Sequence, residues 1–138
     1  MKKIILSVAV ISFALLSCKK SDKSCDLSTA AFAGTYKVTS VMYKADATTP
    51  EIDEYATWSA CEKDDRVTFN ANGTSSFDDL GTVCVPDGSY TGTWSLTGNS
   101  ITVDGAPGTV IYFDCNSAAI SFIGTAVGEK STVSLARQ

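Results

Sequence analysis

The chain has no histidine among its 138 residues. Without an imidazole there is no Ser-His-Asp triad, no Cys-His pair and no histidine-ligated metal centre, so the commonest hydrolase and zinc-enzyme layouts are closed to it and no enzyme activity is expected. Charge is scarce too. Only 19% of residues are charged and the formal net charge is -4; without a positive excess the chain lacks the footprint that a phosphate backbone requires, and nucleic acid is not expected as a partner. The five cysteines include no closely spaced CxxC pair, which argues against a zinc site. The uncharged apolar run from Ile4 to Leu16 is 13 residues long, short of the roughly 20 that a bilayer-spanning helix needs. No long repeat and no second domain is visible, and one domain suits this length.

What is present begins at the N terminus. Met1-Lys2-Lys3 followed by the apolar run has the pattern of a secretory signal peptide. It ends in Leu15-Leu16-Ser17-Cys18, which resembles the bacterial lipobox. That resemblance implies removal of residues 1–17, attachment of diacylglycerol to Cys18, and anchoring of the mature chain in the cell envelope, here expected at the outer membrane and facing the periplasm. Two or three acyl chains on one cysteine make a stable anchor. Residues 18–25, with Lys19, Lys20 and Lys23 beside the lipid, read as a flexible tether. From residue 26 onward there are six basic and fourteen acidic residues, so an acidic domain hangs on a basic leash.

That domain, residues 26–138, reads as short strands separated by polar turns. Eight strands are predicted, at 35–43, 66–70, 74–78, 90–96, 100–104, 109–114, 118–123 and 131–136, after a short helix within 26–34 capped by Asp26 or Ser28 and stopped by Gly34. Asn70-Ala71-Asn72-Gly73 suits a type I turn followed by a left-handed glycine, which pairs Val67 with Phe77 and Phe69 with Ser75. A Gly98-Asn99 turn pairs Leu96 with Ile101 and Trp94 with Val103, and a turn at Cys115-Asn116 pairs Phe113 with Ala118 and Ile111 with Ile120. Each register gathers apolar residues on one face, so an up-and-down meander is favoured. Cys25, Cys61, Cys84 and Cys115 remain once Cys18 is set aside; in an exported chain they argue for two disulfides, with three pairings open.

The residues also carry a family likeness. Gly34-Thr35-Tyr36 resembles the Gly-x-Trp opening strand of lipocalins, with tyrosine for tryptophan. Cys61-Glu62-Lys63-Asp64-Asp65, Val67-Thr68-Phe69-Asn70-Ala71-Asn72-Gly73-Thr74, Cys84 and Gly92-Thr93-Trp94-Ser95-Leu96 are similar to the pattern of the lipocalin-like domain in small Gram-negative lipoproteins. The resemblance implies an all-β, eight-stranded up-and-down antiparallel barrel closed at one end by a short N-terminal helix.

In such a barrel strand parity decides which connections share an end. Cys25 and Cys115 fall at the closed end, where the tight turns lie, and Cys61 and Cys84 at the other, nearly opposite each other beyond the Asn72-centred hairpin. The expected disulfides are therefore Cys25–Cys115 and Cys61–Cys84. The open end collects long loops at 44–65 and 79–89, a turn at 105–108, a loop at 124–130, and an acidic rim read as solvated rather than as a Ca²⁺ site at Asp64, Asp65, Asp78 and Asp79. Inward positions include Tyr36, Val38, Met42, Phe69, Phe77, Trp94 and Ile111, with small residues such as Ser40 leaving room. Eight-stranded barrels are either filled by side chains or hold one small ligand. The candidate ligand-binding residues are Tyr36, Val38, Met42, Phe69, Phe77 and Trp94, reached between the 44–65 and 79–89 loops.

The expected function is thus a membrane-tethered lipoprotein that binds or carries a small apolar or amphipathic ligand, with no cofactor and no metal; the acidic rim disfavours anions. The alternative is a protein-interaction module, such as a protease inhibitor or envelope assembly factor, that meets an envelope protein through its mouth loops.

Overall fold

The computed structural model describes residues 25–138, so the signal sequence, Cys18 and residues 19–24 lie outside the described residues. Ser28 starts the helix α1 (Thr29–Phe32): its hydroxyl accepts from the Ala31 N–H at 3.1 Å, leaving one turn before the chain enters β1 (Gly34–Lys44). The other strands are β2 (Ile52–Asp53), β3 (Arg66–Phe69), β4 (Thr74–Asp78), β5 (Tyr90–Thr97), β6 (Ser100–Val103), β7 (Ala106–Phe113), β8 (Ser117–Ile123) and β9 (Lys130–Arg137). All pair antiparallel with their neighbours, and β9 returns to β1, closing an eight-stranded barrel of β1 and β3 to β9. The length of β1 makes closure possible. Gly34 to Tyr36 pair with β3, while Tyr36 to Lys44 pair with β9.

Turn chemistry sets the registers. Gly73 takes φ +87 after the Asn70-Ala71-Asn72 turn, and Val67 opposes Phe77 and Phe69 opposes Ser75 as expected. Leu96 opposes Ile101 and Trp94 opposes Val103. Three expectations need correction. The turn before β7 is not at 105–108: Asp104 and Gly105 take φ 51 and 82, the left-handed pair of a two-residue hairpin, and the strand begins at Ala106. A bulge between Val110 and Tyr112 leaves Phe113 opposite Ala118 but sets Val110, not Ile111, opposite Ile120. Val110 is therefore buried and Ile111 exposed. A second bulge between Val38 and Ser40 shifts the phase of β1, so Val41 rather than Met42 pairs with inward Val133, and Ser40 joins Ser134 on the outer face.

The core sits at the closed end. Phe32 enters the barrel from α1 with no exposed surface, its ring 5.3–5.6 Å from those of Tyr36, Phe69, Trp94 and Phe113. Ile101, Val110, Ala118, Ile120 and Leu135 complete the layer. The polar atoms of the two amphipathic aromatics in this plug are satisfied: Tyr36 Oη donates to the Phe32 carbonyl at 2.6 Å, and Trp94 Nε1 donates to the Asn70 carbonyl at 2.8 Å. Burying side chains of this size contributes about 2–3 kcal/mol each. The Cys25–Cys115 disulfide ties the start of α1 to the β7–β8 turn, Cα to Cα 5.6 Å.

Candidate binding site at the open end

The 45–65 segment is built rather than loose. Asp46 Oδ1 accepts from the Thr48 and Thr49 N–H groups at 2.7 and 2.9 Å, closing the turn after β1. Strand β2 then pairs with Met42 and Tyr43, and a 3-10 turn at Tyr55–Thr57 follows, where Trp58 packs on Tyr55 with ring centroids 5.3 Å apart. Next comes a second helix, α2 (Ala60–Lys63). Glu62 reaches back to accept from both the backbone N–H and the hydroxyl of Ser59, each at 2.6 Å, which is half of a capping box.

Carboxylates then bind this segment to the 79–89 loop. Asp64 Oδ2 accepts from the Thr82 N–H at 3.0 Å, and Asp65 Oδ1 from the Leu80 N–H at 3.3 Å. Asp79 folds its own loop by accepting from the N–H of Cys84 at 3.0 Å and of Gly88 at 3.2 Å. The Cys61–Cys84 disulfide staples the two segments, Cα to Cα 5.4 Å. The acidic rim is thus largely a set of loop-ordering acceptors, not a solvated fringe. Among the described residues no three Asp, Glu or Cys side chains converge as metal ligands would.

Between these segments lies a cavity of about 550 Å³. Trp58, Val85 and Pro86 give it apolar walls, the disulfide forms one side, and Glu62, Asp65 and Asp79 face it. Phe77 contributes from the barrel, stacked on Tyr90 across β4 and β5 with centroids 5.6 Å apart. Asp65 is 7% exposed. Burial pushes its carboxyl above the usual carboxylate range; the Leu80 N–H opposes this, and the negative charges of Asp79, Asp64 and Glu62 add to it.

The six ligand candidates are dispersed by this arrangement. Tyr36, Phe69 and Trp94 are packed against Phe32 in the plug, where no ligand surface remains. Val38 lies half-buried on the inner wall, Met42 is turned out of phase by the β1 bulge, and Phe77 reaches the cavity. The residues that define the cavity were harder to foresee. Trp58 lay in a segment expected to be loop, although an isolated large aromatic among polar residues is itself a signal of a contact surface. The two cysteine-paired segments do coincide with the entrance expected between 44–65 and 79–89.

Comparison with curated proteins returned no match. A family model described as a lipocalin-like domain matches residues 32–117, from the plugging Phe32 through the start of β8. The match covers 86 of the 138 residues and spans six whole barrel strands, β1 and β3 to β7, together with both cavity-forming segments. With the closed antiparallel barrel and its helix-plugged end, it places this chain in the lipocalin-like domain family.

Proposed function

We propose that the chain is a non-enzymatic binding module of the cell envelope, tethered to the outer membrane by lipid on Cys18 and facing the periplasm, that holds a small apolar or amphipathic molecule between its 45–65 and 79–89 segments. The observation that carries the reading is the cavity itself: about 550 Å³, walled by Trp58, Phe77, Val85 and Pro86 and held in shape by a disulfide, within the size range typical of small-molecule sites. A lipocalin-like barrel supports the same class of ligand. The lipobox-like Leu15-Leu16-Ser17-Cys18 supports the tether, and two disulfides suit an oxidising, exported setting. Native mass spectrometry of the purified full-length chain tests it. A co-purified mass of a few hundred daltons that dissociates on collisional activation is expected; a bare chain that also takes up no added amphiphile contradicts the reading.

Exposed Leu80, Val83 and Val85 on the 79–89 loop support the second reading, a protein-interaction module acting through the mouth, since clustered apolar surface suits a partner. Cross-linking in intact cells that captures the chain through this loop would favour it.

A further inference from the structure

We infer that the cavity selects an amphipathic organic cation, an apolar body carrying an amine or quaternary ammonium, with Asp65 as its counter-charge. This rests on the small-ligand reading above and narrows it to one class of molecule.

The wall is one-signed. Glu62, Asp65 and Asp79 are its charged residues, and no lysine or arginine joins them. The basic residues next to Glu62 and Asp65 in the chain are engaged elsewhere: Lys63 Nζ stands 5.2 Å from the centre of the Tyr55 ring, and Arg66 Nη1 donates to the backbone carbonyls of Asp64 and Asp65 rather than to their carboxylates. Among the described residues the ion pair within 4.0 Å is Lys130–Glu51, on the rim beside β9. Among the described residues no lysine or arginine therefore pairs with the acids of the cavity.

The three acids are not equivalent. Glu62 is exposed and tied to Ser59, while Asp79 has both oxygens occupied by backbone N–H groups. Asp65 is more than nine-tenths buried, yet among the described residues its carboxylate takes one hydrogen bond, from the Leu80 N–H at 3.3 Å. Its second oxygen takes no hydrogen bond from the described residues and is not among the sealed polar atoms, so it is open to the cavity that Asp65 lines. A largely buried carboxylate with one long hydrogen bond is under-compensated, and a counter-ion that also donates a hydrogen bond relieves it. An ammonium group supplies both. Two aromatic side chains, Trp58 and Phe77, share the same wall, and aromatic faces attract alkylammonium groups that are desolvated against them. The apolar body would meet Val85 and Pro86. An anionic amphiphile of the same length meets the same apolar contacts with like charges behind them, so the site rejects it.

The test uses three amphiphiles with one tail, decyltrimethylammonium, decyl maltoside and decyl sulfate, titrated below micellar concentrations into the full-length chain by calorimetry. The ammonium compound is expected to bind about tenfold or more tighter than the sulfate, a preference that shrinks as salt screens the wall. Asp65→Asn keeps an acceptor for the Leu80 N–H and removes the charge, so it should reduce that preference to about threefold or less. Near-ultraviolet circular dichroism checks that the variant is folded, and the wild-type preference with its salt dependence stands without it. Equal or tighter binding of the sulfate or maltoside overturns the cation assignment and leaves the small-ligand reading standing. Failure of all three to bind overturns both.

Discussion

Arg137 and Tyr36 hold each other across the closed end of the barrel. The guanidinium carbon lies 5.2 Å from the Tyr36 ring centre, Nη2 donates to the Tyr36 hydroxyl at 2.7 Å, and the same nitrogen reaches the carbonyls of Ala31 and Phe32 at the end of α1. The last strand is thereby fastened to the first strand and to the plug. Gly34 permits the approach, since a Cβ there would stand 3.1 Å from Arg137 Cζ.

The contact should therefore carry stability. Arg137→Met is expected to cost about 2–3 kcal/mol, because it strips a donor from the part-buried carbonyls of Ala31 and Phe32 and removes the ring contact. Arg137→Lys should recover little of this, since an ammonium lacks the planar fork. Tyr36→Phe should cost about 1–2 kcal/mol. Urea unfolding at pH 7 reads all three; an Arg137→Met variant as stable as wild type would show the contact to be incidental.

Much of this architecture was legible because the signals were local. The Asn72-Gly73 and Gly98-Asn99 turns dictate their registers, and those registers bring Val67, Phe77, Trp94 and Val103 to one face. The disulfide pairing followed from parity once the barrel was assumed. Two further local signals are present in the chain: Asp104-Gly105 is a strong hairpin dipeptide, and Ser59-Ala60-Cys61-Glu62 has the capping-box spacing that starts α2 inside an expected loop. The bulges near Thr39 and Ile111 were not readable. Each is a one-residue slip decided by packing against β9 and β8, and each reverses the facing of the residues beyond it, which is why Met42 and Ile111 were expected inside. The cavity depended on tertiary contacts between two segments distant in sequence, so only its entrance could be foreseen.

Protonation should separate two kinds of carboxylate. The Tyr112 hydroxyl and the N–H groups of Ser117 and Asn116 hold Asp114 below the usual carboxylate range. Its contribution is present at neutral pH and is lost as pH falls through that lowered value. Asp65 is raised, chiefly by burial, so its ionisation weakens the fold as pH rises through the raised value. Asp114→Asn should therefore be less stable than wild type at pH 7, and Asp65→Asn at least as stable. Both differences should shrink towards pH 3. Urea midpoints across this range check the signs, and an Asp65→Asn variant that loses stability only at neutral pH would reverse the assignment.

The two disulfides should differ in what their loss releases. Cys61–Cys84 spans 23 residues and Cys25–Cys115 spans 90, for which chain-entropy arguments give about 3 and about 4–5 kcal/mol. Cys61→Ser with Cys84→Ser should also loosen the cavity and weaken ligand uptake, whereas Cys25→Ser with Cys115→Ser should destabilise the barrel while the cavity-forming segments stay stapled. Thermal unfolding of each pair, with amphiphile titration of the folded variants, distinguishes them; equal loss of binding in both would contradict the division.

Anchoring should depend on one atom. Cys18→Ala is expected to abolish fatty-acid labelling and move the protein from membrane to soluble fractions after detergent-free extraction. Retention of the variant in the membrane would refute lipid tethering.

Trp58 lines the cavity while Trp94 is sealed in the plug 5.6 Å from Phe32, so the two tryptophans report on different ends of the molecule. Titration of decyl maltoside into the full-length chain, followed by tryptophan emission, is the most direct measurement of whether the mouth cavity binds small amphiphiles. A saturable change that disappears in Trp58→Phe, while Trp94 emission stays constant, is the expected result. A silent wild-type titration, or a change that persists in Trp58→Phe, would contradict binding at this site.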